Sequence, residues 1–194
     1  MSQQKLLKRV IQVLEQAGIQ YMITGSIVSS LQGEPRSTHD IDMIITIQKS
    51  QINALLSAFP PPRFYLDKNA ILEAVHNQSM FNLIDTESGD KVDFWILTNE
   101  PFDQSRFSRK ASENFMGFTM QVSSPEDTIL AKLRWAKLSG GSEKQLMDAL
   151  RVYEVQYESL DTDYLKRWVE NLNVQSLWEQ LIKKAQENRS DDRG

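Results

Sequence analysis

Apolar residues at Leu6, Leu7, Val10, Ile11, Val13 and Leu14 recur at three- and four-residue intervals. That spacing predicts an amphipathic helix over 3–17, closed by Gly18. The compact run "IQYMIT" (19–24) predicts a short buried strand, followed by a short helix over 26–32 and a loop at "EPRST" broken by Pro35. "DIDMIITI" (40–47) predicts a second strand, and a helix over 49–58 ends before Pro60, Pro61 and Pro62. "SMFNLID" (79–85) and "KVDFWIL" (91–97) flank "TESGD", a hairpin pattern with Gly89 in the turn. "FMGFTMQV" (115–122) reads as one further strand, and the pattern over 100–110 decides nothing.

The pattern then changes. "SSPEDTILAKLRWAKL" opens with Ser124 as N-cap, Pro125 at the first helical position and Asp127 in the first turn. After "SGG", helical spacing continues near 142–156, 161–171 and 174–187, and "ENRSDDRG" reads as a frayed end. The expected class is α+β: a mixed sheet with helices over 1–122, a helical region over 123–188 and a disordered tail over 189–194. Trp168, Leu172, Leu177 and Trp178 are candidates for an interface, but packing between the last two helices accounts for them equally.

Composition narrows the class. The 194 residues are 40% apolar and 25% charged, enough for a core without staples. With no cysteine, disulfides and thiolate chemistry are excluded, and a reducing, cytoplasmic setting is the expectation. The first 18 residues lack a signal-peptide core, and no apolar run is long enough to span a membrane. The net charge is −4, and each side of Ser123 carries 11 basic and 13 acidic residues. Without a basic tail or half, extended DNA binding is not expected.

The acids of "DIDMIITI" need an explanation of their own. Asp40 and Asp42 are two apart, so in a strand they project from one face. Paired carboxylates repel unless a cation lies between them, and hard oxygen donors suit Mg²⁺. Two readings stand: acids solvated on a wet face, or ligands of a divalent metal. Asp93, in the apolar strand "KVDFWIL", adds a third carboxylate to the second reading. Gly25-Ser26, where a strand turns into a helix, offers backbone N–H groups and a hydroxyl to a phosphate. Arg36 is either a phosphate contact or a solvated loop residue. His39 points away from Asp40 and reads as a strand-end residue rather than a ligand.

Taken together, Gly25-Ser26, thirteen residues and Asp40-Ile41-Asp42 resemble the signature of the DNA-polymerase-β-like nucleotidyltransferase superfamily. The resemblance spans about 19–97 and implies the minimal nucleotidyltransferase fold, with Gly25 and Ser26 at a nucleoside triphosphate. It also implies Asp40, Asp42 and Asp93 as catalytic acids around Mg²⁺, in a two-metal site. This chain departs from the family in placing Glu34-Pro35 in the loop between the motif halves. The helical region resembles bacterial nucleotidyltransferases of the abortive-infection toxin kind. That likeness implies Lys132, Lys144 and Asp148 facing the nucleotide, although Lys144 and Asp148, four apart, fit a surface ion pair equally well. The expected function is metal-dependent transfer of a nucleoside monophosphate to a small molecule, RNA or protein, in a toxin with an antitoxin partner in one version. The alternative is a catalytically inactive nucleotide-binding or interaction module of the same fold.

Overall fold

The computed structural model describes residues 2–35, 38–115 and 117–191. The chain divides into two compact units, Met1–Ile27 with Ser37–Ser123, and Val28–Arg36 with Ser124–Gly194.

The first unit opens with α1 (Gln3–Gln16), where the Ser2 side chain accepts the Lys5 N–H. Leu6, Leu7, Val10, Ile11 and Leu14 are its buried stripe, as the spacing requires. β1 (Gln20–Thr24) follows, then α2 (Gly25–Gln32), which begins in the first unit and continues into the second. Next come β2 (Asp40–Thr46), a 3-10 turn at 49–51 and α3 (Ile52–Ala58). β3 (Phe64–Tyr65) and α4 (Lys68–Asn77) are not announced by the apolar pattern; α4 buries only Ile71 and Ala74 and is started by Asp67, whose side chain accepts the Ala70 N–H. β4 (Met80–Asp85) and β5 (Lys91–Ile96) form the expected hairpin, with Gly89 at φ +75° in its turn. The undecided stretch forms α5 (Pro101–Ser108), with Pro101 in its first turn.

The run 115–122 is not one strand. It belongs to a hairpin of β6 (Ala111–Phe115) and β7 (Phe118–Val122), turned next to Gly117 at φ +83°. β6 is an edge strand with mostly exposed side chains, so it lacks the alternation that marks a half-buried strand.

These strands make one seven-stranded sheet in the order β3-β4-β5-β2-β1-β7-β6. The pairs β2/β5 and β1/β7 are parallel, and the other neighbours are antiparallel. Two pairings set the site: Thr24 opposite Asp42, and Asp42 opposite Asp93.

The second unit contains α6 (Pro125–Leu138), α7 (Glu143–Gln156), α8 (Thr162–Asn171) and α9 (Gln175–Asp191). Ser124 caps α6 by accepting the Asp127 N–H at 3.2 Å. The fully buried Asp127 carboxylate accepts the Ser124 and Tyr164 hydroxyls at 2.8 and 2.7 Å, which ties the start of α6 to α8. Ile129, Leu133, Leu146, Leu150, Leu165 and Leu181 belong to the core of this unit. Trp178 meets Tyr153 edge-on, with ring centroids 5.6 Å apart, and Trp168 is tilted against Tyr164. These two candidates for an interface therefore pack within the unit. The expected frayed end is helical: α9 runs on to Asp191, and the rest of the tail lies outside the described residues. Among the described residues, no helix is long and apolar enough to cross a membrane.

Candidate active site

Strand register builds the site. Asp40 and Asp42 alternate with the buried Ile41 and Met43, so both acids leave β2 on one face. Opposite residues in a paired sheet share a face. Asn82, Asp93, Asp42 and Thr24 therefore form a polar row across β4, β5, β2 and β1. Lys91 and Asp40 are opposite one another in the row on one side of it. On the other side, Met80, Trp95, Ile44 and Met22 make an apolar row on the same face. Met22 and Ile44 cluster there with Phe107 of α5, and Trp95 and Leu97 pack against them. The carboxylates therefore line the polar end of a face whose continuation is apolar.

Gly25 follows β1 immediately, at φ +69°. A Cβ at this position would stand 2.1 Å from Asp42 Oδ2. Only glycine leaves room for that carboxylate and takes the left-handed backbone without strain. Ser26 is half-buried in the first turn of α2.

Two protein donors hold the third acid. Asn82 Nδ2 donates to Asp93 Oδ1, while Lys91 Nζ lies 3.0 Å from Asp93 Oδ2. The same ammonium is 3.6 Å from Asp40 Oδ1. Asp40 and Asp93 thus share the Lys91 ammonium, whereas the sequence argument placed a divalent ion between Asp40 and Asp42. The bond to Asp93 raises the Lys91 pKa; burial opposes this, and the charges of Asp93 and Asp40 reinforce it.

Among the described residues, no group of three or more acidic, histidine or cysteine side chains is arranged to hold a metal ion. The donor chemistry still fits a hard divalent cation. Asp40 and Asp42 offer carboxylate oxygens from one face, Gly25 makes space for the inner one, and the ammonium shows that the acids attract positive charge. Arg36, expected at the phosphates, lies outside the described residues. His39 is exposed at the entry to β2.

Lys132, Lys144 and Asp148 belong to the second unit. Lys132 Nζ donates to Asp148 Oδ2 at 2.8 Å, with both side chains about 95% buried, joining α6 to α7. The lysine–aspartate pair formed here thus crosses between helices. A surface pair between Lys144 and Asp148 does not describe the buried Asp148, and Lys144 itself is exposed. Glu34, the departure in the motif loop, pairs with Arg151 at 3.0 Å within the same unit.

Sequence reasoning missed Lys91 and Asn82. For Lys91 the signal was present, because it precedes Asp93 by two residues and so shares its face.

No family model matches the chain, and no curated protein matches it in sequence. Solved structures do. The antibiotic-resistance enzyme ANT(2″)-Ia, in complex with adenylyl-2″-tobramycin, aligns over 91% of this chain and 99% of its own, with a TM-score of 0.58 and 11% identity. An antigenic nucleotidyltransferase-like protein from Paracoccidioides brasiliensis aligns over 90% and 91%, with a TM-score of 0.53 and 18% identity. The lincosamide antibiotic adenylyltransferase LnuA, with lincomycin bound, aligns over 80% and 98%, with a TM-score of 0.53 and 13% identity. The chain has the nucleotidyltransferase fold.

Proposed function

We propose that this protein transfers a nucleoside monophosphate from a nucleoside triphosphate to the hydroxyl of a small molecule. One observation carries the reading: Asp40, Asp42 and Asp93 share one face of adjacent strands, with Gly25 cleared of side chain against Asp42. The acceptor hydroxyl oxygen would bond to the α-phosphorus as the bond from that phosphorus to the β-phosphate oxygen breaks, and pyrophosphate leaves with the electron pair. The Gly25-Ser26 turn would supply N–H groups and a hydroxyl to the phosphates. Asp40 and Asp42 are the residues that would hold Mg²⁺. When bound, the ion would neutralise the triphosphate and the departing oxygen. Asp93 would take the acceptor's proton; among the described residues each of its oxygens meets one donor, which leaves a second lone pair for it. A small-molecule acceptor is favoured by the antibiotic adenylyltransferases among the structural neighbours and by the absence of a basic half. The toxin-type relation and an antitoxin partner draw no support from those comparisons.

A second reading has one observation behind it. Both Asp93 oxygens already carry protein donors, which suits a module that keeps the fold and binds nucleotide without turnover. Incubation with α-³²P-ATP, Mg²⁺ and hydroxyl-bearing antibiotics, tobramycin and lincomycin among them, separates the two. Labelled adduct formed by the wild type and lost in Asp42→Asn supports transfer. Adduct formation unchanged in Asp42→Asn contradicts the assigned site, and nucleotide binding without adduct favours the module.

A further inference from the structure

The strands, rather than a long reach, place Lys91 at the acids. It lies two residues before Asp93 on β5 and opposite Asp40 in the parallel β2/β5 register. Its side chain therefore leaves the sheet on the carboxylate face, between the two acids it touches. The three carboxylates are not equivalent. Asp93 is the most enclosed of the contacts, with a side chain 11% exposed, and it is engaged at both oxygens by Asn82 and Lys91. Asp40, at 56%, presents its carboxylate to solvent, and Asp42 leans over Gly25.

A divalent ion between Asp40 and Asp93 would meet the ammonium in its own place. Like charges repel strongly where water is partly excluded, and a divalent ion doubles the repulsion. An ion held by Asp40 and Asp42 does not need the position between Asp40 and Asp93 that the ammonium fills.

We propose that the Lys91 ammonium takes the place of a second metal ion between Asp40 and Asp93, so that the protein binds a single divalent ion on the Asp40–Asp42 side. This rests on the metal-dependent reading above and sets one ion in place of the two-metal site that the family resemblance implies. The substitution changes the chemistry. An ammonium donates hydrogen bonds and one positive charge, whereas a metal ion coordinates an oxygen directly and lowers its pKa. Activation of the acceptor then falls to the Asp93 carboxylate, held in place by Asn82 and Lys91.

The stoichiometry of Mn²⁺ alone tests this, with free Mn²⁺ followed by electron paramagnetic resonance. The wild type and Lys91→Arg are expected to bind one ion per chain, Lys91→Met two, and the double variant Lys91→Met, Asp93→Asn one again. Two ions in the wild type overturn the proposal while leaving the metal reading intact. A single ion in folded Lys91→Met also overturns it, because removing the ammonium should then open the second position. No ion in any of the four proteins overturns the metal reading itself, so the two failures are distinct. If Lys91→Met fails to fold, two ions in the wild type still overturn the proposal.

Discussion

Gly25 is cleared of side chain so that Asp42 can stand against it: a Cβ there would come within 2.1 Å of Asp42 Oδ2, and the backbone is at φ +69°. Conformation and contact both demand glycine, and the contact is with a proposed catalytic acid. Gly25→Ala is therefore expected to displace Asp42 and abolish nucleotide transfer. Its left-handed backbone adds a cost of about 1–2 kcal/mol. Gly89→Ala is the control. Gly89 has φ +75° with nothing within 4 Å of its would-be Cβ, so it should lose comparable stability and keep its activity. Thermal unfolding and labelled-product assays on both variants check this; equal activity in the two would refute the contact argument.

How far the site could be read in advance follows from the same residues. Gly25, Asp40 and Asp42 lie in one local stretch, and the period-two geometry of a strand is enough to bring the two acids to one face. Asp93 required only that a second apolar strand carry an acid. Lys91 shares a face with Asp93 by the same period, but its place opposite Asp40 required the parallel register of β2 on β5, a long-range pairing that no local pattern states. The Lys132–Asp148 pair was hidden for the same reason, since it spans two helices and competes with a plausible pair along one. The β6/β7 hairpin was missed because β6 is an exposed edge and its polar residues carry no period. α4 was missed because it buries little, and its start depends on a single capping aspartate.

The Lys132–Asp148 pair is buried on both sides. Removing one partner takes away a buried counter-charge, which costs about 3–5 kcal/mol. Lys132→Met should lose stability on that scale in urea unfolding. The double variant Lys132→Met, Asp148→Leu should recover most of it, because well-packed apolar residues replace a buried pair at little cost. A double variant as unstable as the single one would contradict this account.

Asp85 sets an acid limit on stability. Burial alone would raise its pKa, and this is the largest single influence. The Glu87 N–H at 3.1 Å and Arg63 at 3.2 Å together outweigh it and leave the carboxyl below its ordinary value. A depressed folded pKa stabilises the protein above the unfolded value of about 3.9, and that stability disappears as pH falls through the folded value. The difference in Tm between wild type and Asp85→Asn should therefore be constant near neutrality and shrink below about pH 4. Parallel curves down to pH 2.5 would contradict the shift.

Asp40 and Asp42 are proposed to present a nucleotide-and-metal site beside Gly25-Ser26. Its most direct measurement is thermal unfolding with ATP, GTP, CTP and UTP, each with and without Mg²⁺, in the wild type and Asp42→Ala. At a ligand concentration one hundred times its Kd, binding adds about 2.7 kcal/mol, a shift of several degrees for a chain of this size. At least one nucleotide is expected to raise Tm only when Mg²⁺ is present, and Asp42→Ala, itself folded, is expected to lose the shift. No shift with any nucleotide, or an equal shift in Asp42→Ala, would contradict it.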